Sequence, residues 1–204
     1  MKIAIININS GNLYSIQKSI KDLRHDSFIC NDSNDLKKCD KIILPGVGSF
    51  SQTMKYLVKF GFVDVMNELV YKKGLDILGI CLGMQLFCKS SNEQNYSEGL
   101  SFVEADVLEL KNLGCELKLP HIGWNNVQLK KESKIFNGIE NNSDFYFVHN
   151  FAVKCNDKKI VLLGTNMQIN KADTMKQDLE LYPFVKQRNI KTIITPIIRK
   201  RLSE

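Results

Sequence analysis

Cys81 stands between two glycines, each two residues away, in the run Leu78-Gly79-Ile80-Cys81-Leu82-Gly83-Met84-Gln85-Leu86. The residues before it read as a short apolar strand and those after it as a helical pattern. A cysteine at such a junction is lifted into the open by the turn, and the small neighbours let the backbone bend sharply and a substrate approach. Free amides at a helix start favour the thiolate and can hold an oxyanion. An ordinary cysteine is a small buried hydrophobe; the paired glycines point instead to a nucleophile that attacks a carbonyl carbon.

A second loop, Leu44-Pro45-Gly46-Val47-Gly48-Ser49-Phe50, also follows a strand-like segment. Two glycines separated by one residue free its backbone amides to point into a cleft, as an oxyanion hole requires, although a plain tight turn uses the same residues. Both loops leave the carboxyl ends of strands that a parallel sheet would contain, which is where open α/β sheets place their sites.

The elements that position these loops follow from periodicity. Met1 to Ile6 is a β-branched run, and Leu13, Ile16, Ile20 and Leu23 then form one apolar helix face behind Asn9-Ser10-Gly11-Asn12. Strands are predicted at 27–30, 41–44 and 76–80, with an amphipathic stretch over about 51–71. Strands alternating with helices imply a doubly wound, mostly parallel α/β sheet with helices on both faces. After Gly99 the segments 102–110, 124–129, 145–148, 151–154 and 160–163 read as strands without long helices between them, an antiparallel extension at the sheet edge.

Composition bounds the rest. A chain of 204 residues, 44% hydrophobic and 25% charged, buries a real core in one domain. Its net charge of +6 is scattered and not gathered into a basic run, which argues against nucleic acid. The six cysteines show no CxxC pair, so reduced thiols in the cytoplasm and no metal are expected. No apolar stretch approaches the roughly 20 residues of a membrane span.

Several segments together carry a family resemblance. Gly79-Ile80-Cys81-Leu82-Gly83-Met84-Gln85 resembles the nucleophile elbow of class I glutamine amidotransferases, and Pro45-Gly46-Val47-Gly48 their oxyanion strand. Gly11-Asn12-Leu13 with Ser15, Glu98-Gly99-Leu100, Pro120-His121-Ile122-Gly123-Trp124-Asn125 and Phe145-Tyr146-Phe147-Val148-His149 narrow the resemblance to the glutaminase subunit of imidazole glycerol phosphate synthase, over about 1–166. That resemblance implies attack of Cys81 on glutamine, a γ-glutamyl thioester, and release of ammonia to a (βα)₈-barrel synthase in histidine biosynthesis, with no cofactor. It also implies an oxyanion hole from Gly46, Val47, Gly48 and Leu82, a substrate contact from Gln85, and a heterodimer interface including His121, Trp124, Asn125, Tyr146 and His149.

The pattern departs in three places. Ile8-Asn9-Ser10 replaces the family's Asp-Tyr-Gly, which removes a carboxylate beside the first turn. The family's activating His-Pro-Glu segment is missing: His25, His121 and His149 are the three histidines, and none precedes Pro-Glu. All 12 glycines lie at or before Gly164, where average usage of about 7% would put roughly three into 165–204. The chain therefore divides into an amidotransferase domain at 1–166 and an atypical segment at 167–204. Met167-Gln168-Ile169 is what Tyr-Ala-Asn codons become on losing one base, which points to a segment translated out of frame. Two other roles share Cys81 or the scaffold: an amidotransferase serving surface-sugar synthesis, and a non-catalytic subunit that only steadies its barrel partner. A cysteine hydrolase of related sheet topology is a third, from which the two branch-specific segments turn the reading away. Nucleotide sequencing across the last third of the gene tests the frame: a His-Pro-Glu codon series is expected in the neighbouring frame, and its absence removes the idea.

Overall fold

The computed structural model describes residues 1–157, 159, 161–166, 180–187 and 190–193, of which 162 onward are described by backbone alone. Met167-Gln168-Ile169, Ile194, Pro196 and Ile197-Ile198 lie outside the described residues.

The first half is built from strands whose residues alternate between two apolar faces. β1 (Lys2–Ile6), β2 (Asp26–Cys30), β3 (Lys41–Leu44) and β4 (Asp76–Ile80) run parallel in the order β2-β1-β3-β4. Ala4, Ile6, Ile42, Leu44 and Ile77 pack on one face against Phe50 and Leu57 of α2 (Phe50–Lys59) and Phe62 and Met66 of α3 (Phe62–Asn67). Ile3, Ile5, Ile43, Leu78 and Ile80 pack on the other against Leu13, Ile16 and Ile20 of α1 (Leu13–Asp22). Covering both faces is what permits a parallel sheet, and burying one such aliphatic or aromatic side chain contributes about 1.5–3 kcal/mol.

The amphipathic stretch expected at 51–71 is interrupted. α2 ends at Lys59 with Phe60 as its cap, Gly61 takes φ +70° in the left-handed region, and α3 begins at Phe62 before a wide turn over Glu68–Lys72. Leu23, read as the last apolar position of α1, lies beyond the helix and is 71% exposed.

Beyond β4 the structure separates what the sequence presents as one antiparallel extension. α4 (Leu82–Gln85) leads into β5 (Ser90–Ser91) and β6 (Ser97–Glu98), which with β7 (Ala105–Glu109) and β11 (Phe151–Cys155) form a four-stranded sheet ordered β11-β7-β5-β6. β8 (His121–Asn126) and β10 (Asp144–His149) form a separate two-stranded ribbon. The remaining strands join the main sheet: β9 (Gln128–Leu129) pairs with β12 (Val161–Asn166), β12 with β13 (Glu180–Gln187), and β13 with β14 (Ile190–Ile193), all antiparallel.

β14 closes the connection by pairing parallel with β4, Ile190 level with Ile77 and Ile193 with Ile80. The main sheet therefore reads β2-β1-β3-β4-β14-β13-β12-β9, and a boundary at 166/167 does not divide it. Pro183 lies within β13, where a continuous helix is excluded. No helix among the described residues is long and apolar enough to cross a membrane.

Candidate active site

Cys81 occupies the turn between β4 and α4 with φ 55° and ψ −116°, a conformation that non-glycine residues rarely adopt. Holding it there costs on the order of 1–3 kcal/mol, and such strain persists only where the surroundings over-determine it. The surroundings do so through the two flanking glycines. A Cβ on Gly83 would fall 1.8 Å from the Leu44 carbonyl oxygen at the end of β3, and one on Gly79 would lie 2.7 Å from the Met84 backbone. The elbow is thus pressed backbone to backbone against its neighbouring strand and its own helix. The half-buried Cys81 is left at the carboxyl end of the sheet.

α4 is shorter than the sequence pattern predicts. Four residues are helical, and the turns continue to Cys88 through Leu86 N–H to Leu82 O at 2.9 Å and Cys88 N–H to Gln85 O at 2.9 Å. Gln85 lies four residues on, one helical turn from Cys81, and is half-buried.

The Pro45–Ser49 loop meets the elbow directly. Gly46 is buried, and a Cβ there would stand 3.0 Å from Ile8 Cδ1, 3.2 Å from Leu82 Cβ and 3.3 Å from Gly83 N. Val47 is 54% exposed, and Gly48 takes φ +116° with open space around its Cα. The Leu82 amide, assigned by the sequence reading to the oxyanion, donates to Gly46 O at 3.3 Å. In this arrangement it is occupied, and it becomes available only if the Gly46–Val47 peptide turns away.

Glu93 is a neighbour the sequence reading missed. Its carboxylate accepts from the Phe50 amide at 2.7 Å, capping α2, whose own N-cap Ser49 makes no side-chain cap bond. This ties the β5–β6 hairpin to the end of the glycine loop. No local spacing signals it, because the partners are 43 residues apart.

The other thiols are poor competitors for Cys81. All six cysteines are free, and burial pushes Cys30 and Cys155 up to about 12 and raises Cys39 and Cys88 as well.

The ribbon sorts its residues by strand alternation. Phe145, Phe147, His121 and Asn125 face inward and are buried, whereas Ile122 (57%), Trp124 (41%) and Val148 (56%) face out. Tyr146 is level with Trp124, ring centroids 5.4 Å apart, and Val148 is level with Ile122. Of the five residues expected at an interface, Trp124 and Tyr146 lie on the outward face. His121, Asn125 and His149 instead form an internal chain, because residues of alternate parity point to opposite faces.

That chain fixes its own protons. His149 Nδ1 lies 2.9 Å from the Phe151 carbonyl and must donate to it, so its Nε2 accepts from His121 Nδ1 at 2.8 Å. His121 Nε2 then accepts from the Asn125 amide nitrogen at 2.6 Å. Burial, with His149 adding to it, pushes His121 down to about 4, and burial also lowers His149 against the pull of the Phe151 carbonyl.

A half-buried cysteine thus sits in a strained strand-to-helix turn with a glycine loop locked beside it, at the carboxyl end of a doubly wound sheet. Residues 4–182 match the family model described as glutamine amidotransferase class-I, and the chain belongs to that family. Within it, the chain is 45% identical to imidazole glycerol phosphate synthase subunit HisH 1 of Campylobacter jejuni, over 76% of this chain and 77% of the relative. It is 39% identical to subunit HisH 2 of Methanococcus maripaludis over 86% of each, and 43% identical to HisH of Methanocaldococcus jannaschii over 78% of each. Among solved structures, a glutamine amidotransferase crystal structure superposes with TM-score 0.67 at 14% identity, over 93% of this chain and 87% of that one. PurLQS from Thermotoga maritima gives 0.68 at 13%, over 94% and 85%. At such identities these show a shared fold.

Two outcomes follow from the geometry. G83A should destabilise the chain by about 1–3 kcal/mol or more through overpacking, and G48A, whose added Cβ meets open space, by about 1–2 kcal/mol through positive φ alone; urea unfolding measures both. His121 is lowered from 6.5 to about 4 in the folded chain, so the unfolded state binds more protons between those values. The neutral chain's contribution is complete above pH 6.5 and is lost as pH falls towards 4. The urea midpoint should drop across that window more steeply in the native chain than in H121Q.

Proposed function

We propose that the chain is the glutaminase subunit of an imidazole glycerol phosphate synthase. In this role Cys81 opens the side-chain amide of glutamine, and the ammonia passes to a (βα)₈-barrel subunit in a cytoplasmic heterodimer. The observation that carries the proposal is the contact of the Gly46 loop with Leu82 and Gly83 beside the strained Cys81. Two loops leave the adjacent parallel strands β3 and β4 at the same end of the sheet and stand in contact, one carrying Cys81 and the other the glycine-rich backbone that an oxyanion hole needs.

The chemistry assigns each residue a step. The Cys81 sulfur attacks the amide carbon, and the tetrahedral oxyanion draws on the amides of Val47, Gly48 and Leu82. Because Leu82 N–H is held by Gly46 O, glutamine has to be accompanied by a turn of that peptide. Gln85, on the same side of α4 one turn away, is placed to hold the polar part of the substrate. Gly46 itself supplies room, since any side chain there would strike Ile8 and Leu82.

The outward face of the β8–β10 ribbon suits the partner. Ile122, Trp124, Tyr146 and Val148 form a contiguous apolar patch with an aromatic pair at its centre, the composition of an interface hot spot. His121, Asn125 and His149 support that face from behind through their hydrogen-bonded chain.

Co-expression with the barrel subunit of the same gene cluster should give a 1:1 complex. W124A and Y146A should each weaken it at least about fivefold by calorimetry, consistent with hot-spot truncation costing more than about 1 kcal/mol. A glutamine-mimicking electrophile should label Cys81 alone among the six cysteines by mass spectrometry. Failure to form the complex would sink the partner assignment, and labelling elsewhere would sink the nucleophile.

A further inference from the structure

A groove of about 770 Å³ opens between α2 and the β5–β6 hairpin, and none of the residues assigned to the glutamine site lines it. Small-molecule sites run from about 300 to 1,000 Å³. Met54, Lys55, Val58 and Lys59 form its helix wall, a single stripe at three- and four-residue spacing, and Val63 extends the apolar part. Met54 and Val63 are packed against the core, whereas Val58 is 62% exposed and Tyr96, on the hairpin wall, 73% exposed. An apolar stripe facing an uncovered aromatic ring is surface that a ligand is favoured to cover.

The charges of the groove are divided between its walls. Lys55 and Lys59 stand one helical turn apart, and neither forms an ion pair among the described residues. Glu98 carries the opposite charge on the strand wall and is likewise outside those pairs. Its backbone is also on offer. β6 is the outer strand of its sheet, Gly99 N–H donates to Lys89 O at 2.8 Å, and Ser97 is level with Ser91. Strand alternation therefore turns both the N–H and the C=O of the intervening Glu98 away from β5, onto the free edge.

We propose that this groove binds a free α-amino acid with an apolar or aromatic side chain. The ligand's carboxylate accepts from Glu98 N–H and from the lysine ammonium groups, and its ammonium donates to the Glu98 carbonyl and carboxylate. Its side chain lies along Met54, Val58 and Val63 beneath Tyr96. A plain anion would meet the Glu98 carboxylate and a plain cation the two lysines, so the groove favours a molecule carrying both charges. The site stands independently of any chemistry at Cys81. It nevertheless adjoins that chemistry, because the same hairpin carries Glu93, whose carboxylate holds the Phe50 amide at the end of the glycine loop. A bound amino acid fastens the hairpin to α2 at that point.

The test is calorimetry on the full chain with L-phenylalanine as probe. Phenethylamine and 3-phenylpropionate, each lacking one of the two charges, serve as comparisons. A Kd on the order of 1 mM or tighter is expected for the zwitterion, with each comparison compound and the K55A/K59A double variant at least about tenfold weaker. C81A should leave binding unchanged, and the ligand should slow hydrogen exchange at the Glu98 amide. Both substituted lysines are exposed, so the urea midpoint should hold and show that the double variant folds. No heat up to roughly 10 mM probe would overturn the site. Equal binding of all three compounds would overturn the amino-acid assignment, and undiminished binding in K55A/K59A or loss of binding in C81A would overturn the location.

Discussion

The site depends on one close approach of backbone to backbone. The elbow after β4 lies so near the end of β3 that position 83 tolerates no side chain, because a Cβ would fall 1.8 Å from the Leu44 carbonyl oxygen. Gly46 repeats the constraint from the other side, fitting its Cα among Ile8, Leu82 and Gly83. The elbow and the glycine loop meet at the carboxyl end of the sheet because β3 and β4 are adjacent and parallel, and the glycines are the condition under which both exits share that space. The left-handed backbone of Cys81 is paid for by the core beneath it, where Leu86, Phe87 and Met84 are almost wholly buried.

Much of this arrangement was legible from residue types. Strands 41–44 and 76–80 were placed at their observed bounds, because a continuous apolar run ended by polar or glycine residues has few alternatives. The cysteine of the elbow and its glycine partners are legible because strained turns use few residue types. What could not be read were relations between distant residues. Glu93 reaches α2 across 43 residues, and the engagement of the Leu82 amide with Gly46 depends on a peptide orientation that no residue type encodes.

The ribbon shows where resemblance runs ahead of geometry. The Pro120–Asn125 and Phe145–His149 segments single out five interface residues, yet a two-residue period forces neighbours onto opposite faces. His121, Asn125 and His149 are thereby joined in a hydrogen-bonded chain on the inner side of the ribbon, and Ile122, Trp124 and Val148 are turned to its outer side. The apolar outer face and the satisfied inner chain are two consequences of one register.

The position of β14 has a consequence for biosynthesis. Strand β4, which leads into Cys81, takes its second parallel neighbour from roughly 110 residues further along the chain. At ordinary rates of translation, that flank of β4 stays unpaired for on the order of ten seconds after the strand emerges from the ribosome. Local pairing cannot cover it in the meantime, because β4 lies between β3 and a strand not yet made. The nascent chain thus carries an open, Ile-rich β edge just before Cys81, a segment that chaperone binding during synthesis would protect.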